Sequence, residues 1–331
     1  MMARTPIVVT GAAGFIGHAL ATRLLSRGER VLGVDVCNAY YNPALKDARL
    51  ASLRVHPNFA FERLDVAEAT LLRELILVSG AKRIVHLAAQ AGVRYSLENP
   101  HAYERSNVAG HLAVLEAARA TEGLEHLVYA SSSSVYGDRP LGGQGFCEQD
   151  DCAAPASLYA ATKRSCELMS ASYTALYGLP QTGLRFFTVY GPWGRPDMAY
   201  FSFTEKILAG EPITVFGEGK MARDFTYVDD IVDGIVGVLD RPPASGEHRI
   251  LNIGDSRPVG LMEMIGALED ALGVSAELIM QPMQPGDVTH TYADISQLHA
   301  LTGYQPKVML EDGLCRFVEW YRTFAYWRAA A

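Results

Sequence analysis

The chain has 331 residues, of which 37 are acidic and 29 basic, giving a formal net charge of −8. Its 49% hydrophobic and 20% charged residues are ordinary for a globular protein, and its length suits one large domain with a smaller one. The acidic balance argues against a nucleic-acid-binding surface, since no excess of Lys and Arg is available to neutralise phosphates. No run reaches the roughly 18 apolar residues of a membrane span, so neither nucleic acid nor a membrane is expected as a partner.

The start of the chain and its cysteines bear on the compartment. The first apolar run, 7–10, is too short for a signal peptide and leads directly into a glycine motif, which indicates a strand. The five cysteines show neither zinc-like nor redox spacing, and no Asn-x-Ser/Thr sequon occurs. These features predict a reducing, cytoplasmic location, buried thiols and no metal site.

Short apolar strands alternate with amphipathic helices through the first 190 residues. Strands are predicted at 7–10, 31–35, 59–64, 83–87, 126–130 and 182–186. Helices are predicted near 15–27, 67–78, 101–120 and 157–177. Such alternation, with nearly continuous apolar strands, predicts an α/β fold with a doubly wound parallel sheet covered on both faces.

The pattern changes after Gly191, where Pro192, Gly194 and Pro196 mark a break. Beyond it a helix near 198–209, a strand at 213–216, a helix near 228–240 and a strand at 250–253 are predicted. We therefore expect a larger nucleotide-binding domain over 1–190 and a smaller α/β substrate lobe, mainly over 191–331. Segments near 225–255 are expected to return to the larger domain.

A glycine motif follows the first strand and opens a helix, with Gly11, Gly14 and Gly17 spaced three apart. In such a unit the first glycine permits a tight turn, the second lets the backbone approach a pyrophosphate, and the third lets helix and strand pack closely. Asp35, at the end of the second strand, can accept hydrogen bonds from ribose hydroxyls and would repel a 2′-phosphate. The motif therefore predicts NAD rather than NADP, although a glycine triple alone also fits an ordinary turn.

Tyr159 and Lys163 lie four residues apart in a predicted helix and so share a face. A nearby ammonium group favours a phenolate, which can act as a base. Four serines, 131–134, end the fifth strand, at the sheet edge where doubly wound folds carry their sites. An exposed tyrosine and a serine-rich turn are the alternative interpretations of these residues.

Together these motifs resemble the extended short-chain dehydrogenase/reductase family, in its nucleotide-sugar epimerase branch. TGAAGFIG, HLAAQAGVRYSLENP, YASSSSVYG, SLYAATK, LRFFTVYGPWGRPDM, FGEGKMARDFTYVDD and QPGDV occur in the family's order. Within that branch the set is most similar to the 4-epimerases of UDP-glucuronate. The resemblance implies a Rossmann domain with bound NAD, a UDP-sugar substrate inverted at C4 through a 4-keto intermediate, and a homodimer formed through two helices of the larger domain.

The resemblance also implies roles for individual residues. The catalytic residues would be Ser132, Tyr159 and Lys163. The NAD contacts would come from Gly11, Gly14, Phe15, Ile16, Gly17, Asp35, Asn38, Asp65, Val66, Leu87, Ala88, Ala89, Gln90, Asn107, Tyr159 and Lys163. The substrate contacts would come from Arg94, Ser132, Ser133, Ser134, Thr188, Arg195, Val215, Phe216, Arg223 and Asp287. Thr188 and Arg195 match residues near the sugar carboxylate, whereas Arg223 and Asp287 match contacts to the nucleotide.

Several residues separate this chain from other branches of the family. The 4,6-dehydratases carry Asp-Glu in place of Ser133-Ser134, the decarboxylases carry Glu in place of Ser134, and galactose epimerases carry Asn in place of Thr188. The rival enzymatic interpretation is a 4-epimerase of UDP-glucose or a UDP-N-acetylhexosamine. A non-catalytic NAD-binding regulator is the rival from another class.

Two arginines and one loop also allow a purely structural interpretation in place of a substrate-binding role. Arg195 would satisfy loop carbonyls if it were not a substrate ligand. Arg223 would form a surface ion pair with Asp224 or Asp229. The composition of 139–152 departs from the family's usual loop, and Thr289 stands where the family often has Pro, so the conformation over the sugar is left open.

Overall fold

The computed structural model describes residues 5–138, 145–283 and 288–330. The strands of these ranges are β1 (Ile7–Thr10), β2 (Val31–Asp35), β3 (Phe59–Arg63), β4 (Arg83–His86), β5 (His126–Ser132), β6 (Gln181–Phe186), β7 (Thr188–Tyr190), β8 (Ile213–Phe216), β9 (Ala222–Tyr227), β10 (His248–Ile253), β11 (Pro258–Gly260), β12 (Leu278–Gln281) and β13 (His290–Thr291). The α-helices are α1 (Phe15–Ser26), α2 (Ala44–Arg54), α3 (Ala69–Ser79), α4 (Tyr95–Glu98), α5 (Pro100–Tyr103), α6 (Gly110–Ala120), α7 (Leu158–Tyr177), α8 (Ala199–Ala209), α9 (Val228–Leu239), α10 (Leu261–Leu272), α11 (Ser296–Thr302) and α12 (Leu310–Ala330).

Seven parallel strands form the main sheet, in the order β10-β6-β5-β4-β1-β2-β3. β1 and β2 are buried at every position, as expected for strands covered on both faces. The chain moves outward from β1 in one direction and from β4 in the other, so the order reverses between β1 and β4. This arrangement confirms the predicted doubly wound α/β fold, and it places the switch point beside the glycine motif.

A second, four-stranded sheet is organised around β9, and the part of the structure that contains it is called the smaller lobe below. The first half of β9 pairs with β11 and β13, and its second half pairs with β7. Asp224, on β9, is fully buried and accepts hydrogen bonds from the backbone N–H groups of Asp255, Ser256 and Ala293 at 2.7 to 2.9 Å. One carboxylate therefore ties three segments of this lobe together. β8 and β12 form a separate two-stranded sheet.

The predicted helix at 101–120 is interrupted. α5 and α6 are separated by a wider helical turn over Glu104–Ala109. This turn directs Asn107 into the interior, where its Oδ1 accepts from the Gln90 N–H at 2.8 Å and its Nδ2 donates to the Gln90 carbonyl at 3.1 Å. Such turns often mark functional sites in helices.

In the described ranges, no helix combines the length and apolar character that crossing a bilayer requires.

Candidate active site

A continuous cleft follows the carboxyl ends of the main strands and passes into the smaller lobe. Its first part, of about 470 Å³, contains the glycine motif and the ends of β4 and β5. Its second part, of about 540 Å³, reaches α8 and β8. The two parts share the lining residues Tyr40, Gly92, Val93, Thr188, Arg195, Met198 and Arg223. The cleft thus joins a site at the switch point to a second site on the smaller lobe.

The glycine motif fits a bound pyrophosphate. Gly11 has φ +74°, and a Cβ there would lie 2.8 Å from the backbone nitrogen of Ala88. A Cβ on Gly17 would lie 2.0 Å from the Gly11 carbonyl oxygen. α1 begins directly after Gly14, so its N-terminal N–H groups and partial positive charge face the cleft. Phe15 and Ile16 line the same part.

Asp35 lines the cleft at the end of β2 and is 7% exposed. Its Oδ2 accepts from the Ala13 N–H at 3.1 Å and its Oδ1 from the Cys37 N–H at 2.7 Å. Because a carboxylate offers about four acceptor sites, two remain for a ribose diol. Lys46 and Tyr40 also line this part and were not predicted from the sequence; Lys46 donates to Asn38 Oδ1 at 2.8 Å.

The other predicted cofactor residues lie mostly along the same wall. Those that line it are Asn38, Asp65, Val66, Leu87, Ala88, Ala89 and Gln90. Asp65 is held by the Ala67 N–H and by Arg105. Asn107 is outside the lining, because both ends of its amide are bonded to the Gln90 backbone. Asn107 therefore supports the backbone of Gln90, which itself lines the cleft.

Ser132, Tyr159 and Lys163 all line the cleft, where the end of β5 meets the first turn of α7. Ser157 caps α7 by accepting from the Ala160 N–H at 3.1 Å, so Tyr159 lies at the positive end of the helix. The Lys163 Nζ donates to the Ala130 carbonyl at 2.9 Å. This bond attaches the helix to the strand that carries Ser132.

The Ser132 hydroxyl is part of a short polar turn. It accepts from the backbone N–H of Ser134 at 3.2 Å and from the Ser134 hydroxyl at 2.9 Å. Ser133, beside them, lines the cleft as well. Ser132 therefore keeps its own hydroxyl proton free to be donated toward the cleft while its oxygen is fixed from behind.

Arg195 and Thr188 line both parts of the cleft. Arg195 donates from Nε to Asp197 Oδ1 at 3.0 Å and from Nη2 to Oδ2 at 2.5 Å, so its partner is a carboxylate and not the loop carbonyls. Tyr40 donates to the same Oδ2 at 3.2 Å. Burial acts to raise the pKa of Asp197, but the charge and hydrogen bonds of Arg195 hold it below its ordinary value. Within the described ranges, no hydrogen bond is made by Arg195 Nη1.

The remaining substrate residues lie toward the smaller lobe. The guanidinium of Arg94 stacks over the Phe216 ring, 4.7 Å from its centroid, across the second part of the cleft. Arg223 donates to the carbonyls of Val288 and Thr289, which differs from the surface ion pair considered above. Asp287 lies outside the described residues.

Val215 lies outside the lining of both parts of the cleft. Side chains alternate along β8, so Val215 is fully buried in the core whereas Thr214 and Phe216 line the cleft. The side chain of Val215 therefore faces the core and supports its two neighbours on β8. Across the residues that the structure describes, no group of three or more His, Cys, Asp or Glu side chains could hold a metal ion.

The switch-point cleft, its glycine turn and its Ser–Tyr–Lys set define an enzyme of the extended short-chain dehydrogenase class. The chain belongs to the NAD dependent epimerase/dehydratase family, which it matches over residues 7–254. UDP-glucuronate 4-epimerase 5 of Arabidopsis thaliana is 46% identical over 332 residues, covering 96% of this chain and 76% of the plant protein.

Two further proteins are similar over nearly the whole chain. A probable UDP-glucuronate 4-epimerase of Rhizobium meliloti is 44% identical over 330 residues, covering 95% of this chain and 96% of the relative. The crystal structure of UDP-glucuronic acid 4-epimerase from Bacillus cereus, in complex with UDP-glucuronic acid and NAD, matches with a TM-score of 0.88 at 34% identity. That match covers 96% of this chain and 99% of the Bacillus chain.

Proposed function

We propose that this protein is an NAD-dependent 4-epimerase that interconverts UDP-glucuronate and UDP-galacturonate. The observation that carries the proposal is that Ser132, Tyr159 and Lys163 share one cleft with Thr188 and Arg195. The first three residues suit proton transfer at a sugar hydroxyl, and the last two suit binding of a carboxylate. The relatives named for UDP-glucuronate match nearly the whole chain.

The residues along the first part of the cleft fit NAD. Gly11 and Gly17 leave space that a Cβ would fill, α1 offers N–H groups to a pyrophosphate, and Asp35 offers acceptors to a ribose diol. When bound there, NAD supplies a hydride acceptor at the sugar C4 and the donor for its return, so the reaction has no net redox change.

Tyr159 acts as the base on the C4 hydroxyl. Tyr159 lies in the first turn of α7, Lys163 follows one turn further along the same helix, and both line the cleft. The phenolate oxygen takes the hydroxyl proton, and Ser132 donates a hydrogen bond to the same sugar oxygen. The 4-keto sugar then rotates in the cleft so that its opposite face is presented for the return of the hydride. Tyr159 returns the proton to the oxygen, and the configuration at C4 is inverted.

The carboxylate of the sugar requires its own ligand. Arg195 is oriented by Asp197 through Nε and Nη2, which leaves Nη1 to the cleft, and Thr188 adds a hydroxyl. The 4-keto acid is a β-keto acid that loses CO₂ when its C–C bond aligns with the carbonyl. Binding by Arg195 and Thr188 would keep the carboxylate in the ring plane and so prevent that alignment.

The test is a proton NMR assay of the purified protein with UDP-glucuronate and with UDP-glucose, without added NAD. We expect UDP-galacturonate from the acid and far slower turnover of the neutral sugar. Faster turnover of UDP-glucose, or of a UDP-N-acetylhexosamine, would favour the rival epimerase. Tightly held NAD without turnover of any UDP-sugar would favour a regulator and overturn the proposal.

We further propose a cytoplasmic homodimer that associates through α6 and α7. The two helices pack together and expose Leu112, Leu168 and Leu176, the last at 68%. Exposed apolar side chains on two packed helices are typical of a protein interface. Light scattering should give about twice 36.0 kDa for the wild type and a monomer for Leu168→Glu. Val78→Glu, on α3, is the matched control; a dimeric Leu168→Glu would contradict the proposal.

A further inference from the structure

Arg49, on α2, is a fully buried cation. Its Nη1 donates to the Ala13 carbonyl at 3.0 Å, within the glycine motif. Its Nη2 donates to the carbonyls of Trp193 and Gly194, at 2.5 and 3.1 Å. One guanidinium therefore joins the cofactor turn to the loop that immediately precedes Arg195.

The partners of Arg49 are unusual for a buried charge. Within the described residues no carboxylate hydrogen-bonds to it, and its remaining polar contact is the Tyr41 hydroxyl at 2.7 Å. Burial lowers the pKa of Arg49, and its Nε has no hydrogen-bond partner in the same ranges. Burying a cation against neutral acceptors costs free energy. An arginine at this position therefore needs an explanation beyond packing, and its hydrogen bonds to the two loops suggest one.

The loop that Arg49 holds is strained. Trp193 has φ +62°, a conformation that costs a bulky residue free energy and persists only where surrounding structure imposes it. Its ring packs against His18 and Trp320, at 5.3 and 5.2 Å between centroids. A Cβ on Gly194 would lie 1.8 Å from the Tyr200 hydroxyl. The loop is thus fixed on its backbone by Arg49 and on its side chains by the surrounding aromatic residues.

We propose that Arg49 is a positioning residue that sets the place of Arg195 relative to the cofactor turn, and so determines how strongly the cleft prefers an acidic sugar. The inference rests on the proposed function for the identity of the sugar. Arg49 has no place in the lining of either part of the cleft, so it acts through the groups that it bonds, and among these the 193–194 carbonyls lie next to Arg195. A lysine cannot replace it, because an ammonium lacks the planar fork that reaches two carbonyls and the turn together.

The first experiment measures binding to the NAD-loaded protein by calorimetry, for UDP-glucuronate, UDP-glucose and UDP. Arg49→Lys keeps the buried charge, and Arg54→Lys on the same helix is the control. We expect Arg49→Lys to weaken UDP-glucuronate roughly 10- to 100-fold, the worth of one charge-assisted hydrogen bond. The affinities for UDP-glucose and UDP should stay within about twofold, since Arg49 makes no hydrogen bond to the described residues of the second part of the cleft that would hold UDP.

The second experiment repeats the series in an Arg195→Ala background. If Arg49 acts through Arg195, Arg49→Lys adds nothing further there, because the two residues form one unit. An equal loss for all three ligands, or an additive loss in the Arg195→Ala background, would show a general structural role and overturn the proposal. Wild-type turnover of UDP-glucuronate is measured separately, so failure of the proposed function is distinguished from failure of this inference.

A third measurement needs neither substrate nor activity. In protein labelled with 5-fluorotryptophan, the ¹⁹F resonance of Trp193 is assigned from Trp193→Phe. We expect Arg49→Lys to shift or broaden this resonance, because the 193–194 carbonyls lose donors, while Arg54→Lys leaves it unchanged. An unaltered resonance in Arg49→Lys would overturn the proposal even if the variant bound its ligands poorly.

Discussion

Glu167 and Arg185 form a bidentate ion pair in the interior, with Nε to Oε1 at 2.8 Å and Nη2 to Oε2 at 2.9 Å. Both side chains are at most 3% exposed, and Glu167 also accepts from the Ser131 hydroxyl at 2.6 Å. Glu167 lies one turn beyond Lys163 on α7, and Ser131 precedes Ser132 on β5. The pair therefore fixes the helix and strand that carry the catalytic residues.

Glu167→Gln should destabilise the protein by about 3–5 kcal/mol, because it leaves the Arg185 charge buried without its partner. Urea unfolding at pH 7 measures this. Burial acts to raise the pKa of Glu167, but the hydrogen bonds and charge of Arg185 hold it below its ordinary value, so the stabilisation is present at neutral pH and is lost as the pH falls through that depressed pKa. Glu218→Gln, in an exposed pair with Lys220, is the control and should change little. Equal effects would contradict a structural role for the buried pair.

Tyr159→Phe should lower epimerisation by about 10²–10⁴-fold, since the variant lacks a base for the C4 hydroxyl. The bound NAD should be retained, measured as the absorbance of the cofactor released on denaturation. Tyr177→Phe, at the opposite end of α7, is the control and should keep its activity. More than about a tenth of the wild-type rate in Tyr159→Phe would exclude the phenol as the base.

Asp35→Ala should weaken NAD roughly 10- to 100-fold and NADP much less, because a carboxylate that binds a ribose diol also repels a 2′-phosphate. Calorimetry on cofactor-stripped protein measures both affinities. Asp47→Ala, on α2 with its side chain 63% exposed, controls for the loss of one negative charge. A parallel loss for both cofactors would instead mean that Asp35 serves only the Ala13 and Cys37 N–H groups.

Arg195→Ala should weaken UDP-glucuronate by about 1.5–3 kcal/mol and affect UDP-glucose much less, since only the acid offers a carboxylate. The released carboxylate can then rotate out of the ring plane, so a UDP-4-keto-pentose should appear together with NADH. Mass spectrometry of the products detects it. Equal losses for both sugars without any pentose would make the arginine structural, and Asp197→Asn then tests whether its orientation matters.

Asp255→Asn should remove a pH dependence of stability. Burial raises the pKa of Asp255 from 3.8 to about 7. The charges of Asp224 and Asp230 also raise this pKa, whereas the charge of Arg257 lowers it. The folded state therefore holds a proton that the unfolded chain releases between these values, so stability falls as the pH rises through this window. At pH 8 the variant should be more stable by at least about 1 kcal/mol, the worth of one pKa unit. Thermal unfolding at pH 4 and pH 8 tests this, with Asp47→Asn as control; the same difference at both pH values would contradict it.

The main sheet could be predicted because its strands are continuous apolar runs between clear glycine and helix signals. β1 and β2 begin and end at the predicted residues, and α7 begins one residue after its predicted start. The glycine turn, Ser132 and the Tyr159–Lys163 pair follow from local spacing, since each lies at an element end that the strand–helix alternation defines. Local patterns and the global fold agree here.

The unpredicted parts depend on contacts distant in sequence. α2 carries Lys46 and Arg49 on its buried face, so its charges hide the apolar spacing of Leu45, Leu50 and Leu53. The pairing of β9 with β7, β11 and β13 brings together segments far apart in the chain. The partner of Arg195 proved to be Asp197, two residues away, but only the folded loop brings both into the cleft.

The position of β10 restricts which segments of the chain can be exchanged between relatives by recombination. β10 lies beside β6 at the edge of the main sheet, although β7, β8 and β9 intervene in the chain. A gene fragment ending near residue 190 would encode six of the seven strands and leave β6 as an apolar edge, which invites aggregation. Recombination that transfers the smaller lobe alone between relatives must therefore replace two separated segments around a retained α9–β10 unit.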